Sequence, residues 1–232
     1  MAFTDTPDIA QDASTITHSS LATKVYESLR SSLANGELAP DQKLNGRMVA
    51  ERLGVSQTPV REAMLQLVAE RALTMNRNKS VTVPALTAEK FTELRDIRVA
   101  LETLACHGAV AHITDADIDA IEALHRRMIE AKKAGDYRTT MRLNREVHLG
   151  IYRASQRTEL VALIESLWVR TGPYLNLLYQ NEGRVVVEPH EHERLIAALR
   201  ARDAEAAAAS ITRDIVKGGA PVVDALQAAA AK

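Results

Sequence analysis

The chain has 232 residues, a length that fits one large domain or two of ordinary size. Hydrophobic residues make up 46% of it and aromatic residues only 3%, which favours helices packed through aliphatic side chains over a β-rich fold. No apolar run approaches the roughly 18–20 residues of a membrane-spanning helix, and the first residues lack the basic-then-apolar order of a signal peptide. We therefore expect a cytoplasmic protein. The single cysteine, Cys106, excludes an internal disulfide and a cysteine-based zinc site, and we expect it to be buried.

The net charge of −1 is unevenly distributed along the chain. Residues 1–19 carry three acidic residues and no Lys or Arg, and their weak hydrophobic periodicity predicts a disordered arm. Residues 20–84 carry nine Lys and Arg against six Asp and Glu, whereas residues 85–232 carry 20 against 21. The positive excess in residues 20–84 permits contacts with phosphates, although a solvated surface could carry the same charges.

A helix-turn-helix is predicted after the arm. Apolar residues recur every fourth position from Ser20 to Asn35-Gly36, which indicates a first helix: Leu21, Val25, Leu29 and Leu33. A short second helix runs from about Arg47 to Leu53 and ends at Gly54, with Met48, Val49 and Leu53 expected to be buried. A third helix follows from the N-cap Ser56 to about Arg71. Two short helices joined by a turn containing Gly are typical of a helix-turn-helix.

A β-hairpin and a domain boundary are predicted next. Residues 73–75 and 80–83 are short β-prone runs, and the polar, basic segment 76–79 between them favours a turn. Pro84 ends the second strand and Thr87 caps the following helix. The helix-turn-helix and the hairpin are therefore expected to form one domain over residues 20–84, and a second domain is expected to span residues 85–232.

The second domain is predicted to contain six or seven helices and no strand. Thr114 with Asp117 resembles a capping box, Asp136 is expected to begin another helix, and Gly172-Pro173 predicts a kink or break. The fold class predicted for the whole chain is mostly α, with an N-terminal winged helix-turn-helix and an all-helical C-terminal bundle.

The segment Leu53-Gly-Val-Ser-Gln-Thr-Pro-Val-Arg-Glu-Ala63, together with the first helix and the basic hairpin, resembles the winged helix-turn-helix of the GntR family of bacterial regulators. The elements occur in the family's order and at its spacing. Three positions depart from the family pattern, because Asp41, Ala72 and Ser80 stand where the family usually has Gly. These departures affect the expected geometry of the hairpin wing and leave the helix-turn-helix pattern intact.

The first turn of the third helix is the predicted DNA-reading element, because the N-terminal turn of a recognition helix enters the major groove. Ser56, Gln57 and Thr58 offer hydrogen bonds to bases or phosphates, and Arg61 reaches a guanine edge or a phosphate. The resemblance adds two contacts, Arg47 and Lys79. Taken singly, each of these residues could equally be a solvated helix end. A domain of this size makes few contacts with DNA, and a single copy would bind weakly. We therefore expect a homodimer that binds two half-sites of operator DNA.

Residues 85–232 resemble the FCD effector domain of the FadR branch of that family. Three segments carry the resemblance: Arg95-Asp-Ile-Arg-Val-Ala-Leu-Glu102, Asn144-Arg-Glu-Val-His148 with Tyr152, and Glu191-His-Glu-Arg-Leu-Ile-Ala-Ala-Leu199 with Asp203. The spacing itself adds that Asn144 and His148 share one face of a helix. Polar residues on a buried stripe require partners.

In such domains one Asp and three His hold a divalent metal that helps to bind an effector carboxylate. The resemblance places the ligands here at Asn144, His148, His192 and Asp214, a set suited to zinc or nickel. Arg98, Asn144, His148 and His192 are the effector-binding candidates, with Arg98 as a clamp on a small organic acid. Two alternatives stay open: His148 and His192 could be hydrogen-bonded residues that contact the effector without metal, and Arg98 could pair with Glu102.

The remaining histidines, which match no motif, are assigned to ordinary surface or core positions: His107, His112, His125 and His190. The pattern predicts a repressor that leaves its operator when it binds the acid. Two alternatives are a metal-dependent helical enzyme and a DNA-binding protein without a ligand. The sequence disfavours the enzyme because it lacks the metal-protease, phosphate-binding and nucleophile motifs.

Overall fold

The structure is a computed structural model that describes residues 13–175 and 190–231, with side chains from residue 21 onward. The helices in these residues are α1 (Ala13–Ala34), α2 (Gly46–Leu53), α3 (Gln57–Ala69), α4 (Ala88–Val110), α5 (Asp115–Lys133), α6 (Tyr137–Ala154), α7 (Thr158–Leu175), α8 (Glu191–Arg200) and α9 (Ala204–Ala230). The strands are β1 (Lys43–Leu44), β2 (Thr74–Met75) and β3 (Val81–Thr82). The predicted mostly α fold is confirmed.

The N-terminal domain packs α1 across α3 and closes with a small antiparallel sheet in the order β1-β3-β2. Leu33, Val60 and Leu67 are fully buried at the centre of its core. Gly54 ends α2 with φ 66°, a left-handed conformation that Gly adopts without steric cost, and this allows the tight turn into α3. The predicted helix-turn-helix and hairpin are both present. The sheet has one further strand, β1, which was not predicted.

Two predictions for this domain are corrected. Helix α1 begins at Ala13 rather than Ser20, so the last seven residues of the predicted disordered arm are helical; residues 1–12 lie outside the described residues. Residues 13–19 contain neither Gly nor Pro, so nothing in their sequence interrupts a helix. Met48 and Leu53 are 65% and 38% exposed rather than buried, because α2 packs on α3 through Ala50.

The C-terminal domain is a bundle in which α4 packs on α9, α5 on α6, and α8 on α9. The predicted capping box is formed: Thr114 accepts a hydrogen bond from the backbone of Asp117, whose carboxylate accepts one from Thr114. Asp136 caps α6. Cys106 is buried, and this burial raises the pKa of its thiol to about 12. Helix α7 continues through Gly172 and Pro173 to Leu175, so the helix is not broken there.

Helix α7 connects the two domains. Its Val169 belongs to the core of the N-terminal domain, while its neighbour Trp168 lies in the core of the C-terminal bundle. Gly172 approaches α1 so closely that a Cβ atom would lie 2.3 Å from the carbonyl oxygen of Leu33. None of the helices in the described part of the chain combines the length and the apolar character that a bilayer span requires.

Candidate DNA-binding surface and effector site

The predicted DNA-reading residues surround the start of α3. Ser56 is the N-cap of α3, but its hydroxyl makes no cap hydrogen bond. Gln57, Thr58 and Arg61 follow in the first turns, and all four side chains are exposed. Pro59 and Val60, between them, are buried, so the same two turns anchor the helix on one side and present polar groups on the other.

An open cleft of about 900 Å³ separates α3 from the hairpin. Five of the six predicted DNA contacts line it: Arg47, Gln57, Thr58, Arg61 and Lys79. Ser56 immediately precedes this set. Among the described residues Arg61 and Lys79 form no ion pair, whereas Arg47 pairs with Glu51 on an exposed surface where such a pair contributes little. The cleft therefore presents positive charge and amide and hydroxyl groups to the solvent.

A second group of polar residues lies inside the C-terminal bundle, where α6, α8 and α9 meet. The Nε2 atoms of His148 and His192 are 3.1 Å apart. An Asp214 oxygen is 3.2 Å from Nε2 of His148, and the other is 3.8 Å from Nε2 of His192. Both histidines are buried. Atoms bound to one zinc-like ion at about 2.0–2.2 Å lie about 3–3.5 Å apart, so the His148–His192–Asp214 centre has metal-site dimensions.

Tyr152 fixes which nitrogen of His148 faces this centre. The Tyr152 hydroxyl donates to Glu102 over 2.6 Å, and its oxygen lies 2.9 Å from Nδ1 of His148. Because the hydroxyl hydrogen is used on Glu102, Nδ1 of His148 must be the donor in the second bond. The Nε2 atom of neutral His148 then carries a lone pair, which is the form that binds a metal. The donor set therefore fits a divalent ion.

Electrostatics favour the same form of the centre. Burial lowers the pKa of His192 well below its usual value, which keeps this imidazole neutral at neutral pH. Burial alone would raise the pKa of Asp214, but His192, His148 and His190 together lower it below its ordinary range, so this residue is a carboxylate. Neutral imidazoles and an ionised carboxylate are the protonation states that metal binding requires.

Arg98 lies beside this centre but is already paired. Its Nε donates to Glu102 over 2.7 Å inside the bundle, and its guanidinium stacks on the Trp168 ring at 4.4 Å. The structure therefore contains the ion pair considered as the alternative to an effector clamp. Its two terminal nitrogens have no hydrogen-bond partner among the described residues, so a clamp on an acid remains a prediction. Glu102 thus joins Arg98 to Tyr152 and His148.

The fourth predicted ligand, Asn144, is half-buried on α6 one turn before His148. Its side chain makes no hydrogen bond within the described part of the chain. The role of Asn144 as a ligand or an effector contact therefore remains a prediction.

Two histidines assigned to ordinary positions lie next to the centre instead. His125 and His190 bring ring nitrogens within 4.8 Å of each other and of His192. His125 lies on the buried stripe of α5 with Ile121 and Met128, a spacing that could have placed it in the core from the sequence. No such spacing identifies His190, because its position is set by where α8 begins.

Two family models match the chain. The model for bacterial regulatory proteins, gntR family, matches residues 21–83, and the FCD domain model matches residues 93–217. Among curated proteins, the chain is 36% identical over 190 residues to the HTH-type transcriptional regulator McbR of Escherichia coli (strain K12), covering 81% of this chain and 86% of that protein. It is 25% identical to a probable D-xylose utilization operon transcriptional repressor of Paenarthrobacter nicotinovorans, over 86% of this chain and 88% of the relative.

A solved structure of E. coli McbR/YncC superposes with a TM-score of 0.83 at 33% sequence identity. The match covers 88% of this chain and 97% of that one. The similarity thus spans both domains.

Proposed function

We infer that this chain, which belongs to the GntR family of bacterial regulatory proteins and carries an FCD domain, is a transcription repressor that binds operator DNA as a homodimer and leaves it on binding a small organic acid. The family and the named relatives are transcription regulators rather than enzymes. The observation that supports the DNA-binding surface best is the cleft between α3 and the hairpin, because it gathers five separately predicted contacts.

DNA binding is proposed to proceed through the first turn of α3 in the major groove. Gln57 and Thr58 would reach base edges, and Arg61 would reach a guanine or a phosphate. Arg47 and Lys79, at the two sides of the cleft, are proposed to bind the backbone and the minor-groove edge. Two such units per dimer would read two half-sites.

Acid sensing is proposed to take place at the His148–His192–Asp214 centre. These residues, with Asn144, would hold a divalent ion of the zinc or nickel type. The ion, when bound, supplies a Lewis acid for the carboxylate of the effector. The chain's own contribution is to fix the ligands: Tyr152 orients His148, and Glu102 orients Tyr152. Arg98 would donate its free terminal nitrogens to the acid.

Helix α7 is the proposed connection between the acid site and the DNA-binding domain. The Trp168 ring lies 5.3 Å from the His148 ring and under the Arg98 guanidinium. The next residue, Val169, is buried in the core of the N-terminal domain. An acid that draws Arg98 and His148 towards itself would therefore shift α7 and, with it, the angle between the two domains.

The test of DNA binding is a fluorescence-anisotropy titration of a duplex that the protein selects from a random pool. Arg61→Ala is expected to weaken binding by about 1–3 kcal/mol and to relax specificity at one base pair. Arg126→Ala, an exposed arginine on α5, removes the same charge outside the cleft and is the control. Equal affinities of Arg61→Ala and Arg126→Ala would contradict the proposed surface.

A further inference from the structure

The His192 ring is surrounded by other imidazoles beyond the one used in the centre. Its ring centroid lies 5.0 Å from that of His148, 5.3 Å from that of His125 and 4.4 Å from that of His190. The proposed metal centre uses His148 and His192 but neither His125 nor His190. These two residues therefore form a second polar group in contact with the proposed effector site.

His190 is set up as a hydrogen-bond donor rather than as a metal ligand. It is the N-cap of α8, and its Nδ1 atom accepts a hydrogen bond from the backbone N–H of His192. In the neutral ring the proton must then be on Nε2. The Nδ1 atom of buried His125 has no hydrogen-bond partner among the described residues. The pair thus offers a polar ligand the Nε2–H donor of His190 and the unpartnered Nδ1 atom of His125, which donates in the tautomer that has its proton on Nδ1.

Lys132 adds a positive charge to this group. It follows His125 by seven residues and Met128 by four, so it lies on the same buried face of α5. It is half-buried, it lies within electrostatic range of Asp214 and His190, and it forms no salt bridge among the described residues. A half-buried ammonium group that forms no direct ion pair disfavours a second cation at these histidines and favours an anion.

The charges of the whole site indicate how many negative charges an effector should carry. Arg98 and Glu102 neutralise each other, and Lys132 offsets Asp214. The other acids near His125 lie outside the site: Glu193 is 53% exposed, and Glu122 is held by Arg200. Among these described residues, a divalent ion at the centre would leave two positive charges without partners.

We propose that Lys132, His190 and His125 form a second anion-binding half of the effector site, and that the effector is a small dicarboxylate. One carboxylate lies at the His148–His192–Asp214 centre, and the other accepts hydrogen bonds from Lys132 and from Nε2 of His190. The proposal rests on the proposed acid-sensing function and narrows it to a ligand class. Lys132 selects by charge, because a monocarboxylate leaves its ammonium group without a partner.

The test is isothermal titration of the full chain with straight-chain dicarboxylates of three to six carbons, each paired with the monocarboxylate of the same carbon number. Titrations are run on protein freed of metal on a chelating resin and on protein loaded with zinc. At one chain length the dicarboxylate is expected to bind about tenfold more tightly than its partner. Lys132→Met is expected to remove this preference by weakening dicarboxylate binding, without lowering zinc affinity.

Lys133→Met is the matched control, since Lys133 is the exposed neighbour on the same helix, and it should keep the preference. His190→Asn retains an N-cap residue but removes the Nε2 donor, so it should weaken dicarboxylate binding without lowering the melting temperature. Equal binding of the paired acids, a preference that survives in Lys132→Met, or two zinc ions per chain would overturn this proposal alone. Binding of no acid at all would overturn the acid-sensing function as well.

Discussion

Tyr152 is the residue on which the chemistry of His148 depends. Its hydroxyl bridges the His148 ring and the Glu102 carboxylate, both inside the bundle. Burial, together with Glu102, raises the pKa of Tyr152 well above its usual value, so the hydroxyl keeps its proton and continues to donate to Glu102. The tautomer of His148 follows from this bond and not from the metal.

Tyr152→Phe is therefore expected to lower zinc affinity by about tenfold or more, because Nδ1 of His148 loses its acceptor and the ring is no longer held in one tautomer. The measurement is a competition titration against a coloured zinc chelator. Tyr26→Phe is the control, because Tyr26 likewise donates to a carboxylate, that of Glu70, but in the other domain. Unchanged zinc affinity in Tyr152→Phe would show that the hydroxyl does not orient the ligand.

At the residue scale, the sequence predicted which polar residues form the buried centre better than it predicted how these residues pair. His148, His192 and Asp214 do converge, as the family resemblance implied. Helical spacing alone had placed only Asn144 and His148 on one face. The pairing of Arg98 could not be decided, because Glu102 and an effector carboxylate are chemically the same kind of partner. His190 was missed because its position depends on the angle between α8 and the bundle, which no local pattern encodes.

At the scale of elements, α7 is held against α1 by a close backbone contact at Gly172. A methyl group there would meet the carbonyl oxygens of Leu33 and Ala34 at 2.3 and 2.7 Å, so α1 and α7 would have to separate. Gly172→Ala is therefore expected to lower the free energy of unfolding by about 2–3 kcal/mol. Denaturant unfolding followed by circular dichroism measures this change.

The control for that variant has the opposite expected sign. Gly218 lies inside α9, and a methyl group there would meet nothing within 4 Å. Gly218→Ala should stabilise the protein by about 0.5–1 kcal/mol, because Ala favours a helix over Gly. If both variants shift stability in the same direction, the contact between α1 and α7 is not as close as described.

Glu165 provides a polar contact across the same pair of helices. It accepts hydrogen bonds from Arg30 on α1 at 3.2 Å and from Arg153 on α6 at 3.0 Å. Burial would raise the pKa of Glu165, but the two guanidinium groups outweigh it and lower the pKa below 4.5. The folded state therefore gains stability from the ionised form above about pH 4.5, and this gain is lost as the pH falls through the lowered pKa.

Glu165→Gln is accordingly expected to lower the free energy of unfolding by about 1–2 kcal/mol at neutral pH. The difference from wild type should shrink as the pH falls below 4.5, the ordinary value for Glu. Urea titrations at several pH values measure this difference. Glu159→Gln, at an exposed position on the same helix, is the control and should change the free energy of unfolding at neutral pH by less than about 0.5 kcal/mol. A constant difference across the whole pH range would mean that the ion pair is not its source.

The elements themselves were predicted where periodicity or a cap residue marks them. The capping box at Thr114 and the N-cap at Asp136 are examples, because a cap is a local interaction. Strand β1 was missed because two residues, Lys43 and Leu44, are too few to show an alternating pattern, and its pairing with β3 is a long-range contact. The contact of α7 with both domains likewise cannot be predicted from local sequence. Trp168 and Val169 are both apolar, and nothing in the sequence shows that they belong to different cores.

At the scale of the whole molecule, the proposed homodimer makes a separate prediction. One α3 per chain offers few base contacts, so two chains must bind together to reach useful affinity. Light scattering should give twice the mass of one chain, and a duplex with one half-site should bind at least about 100-fold more weakly than one with both. A protein that remains a monomer and binds single half-sites equally well would contradict the dimer.

The buried His148–His192–Asp214 centre is proposed to control the DNA-binding cleft through α7. The most direct measurement is operator affinity, by fluorescence anisotropy, with and without zinc and the acid that binds best, for wild type and His148→Ala. In wild type the acid is expected to weaken operator binding by at least about tenfold. In His148→Ala operator affinity without acid should be unchanged, and the acid should have no effect. A full acid response in His148→Ala, or none in wild type, would contradict the claim.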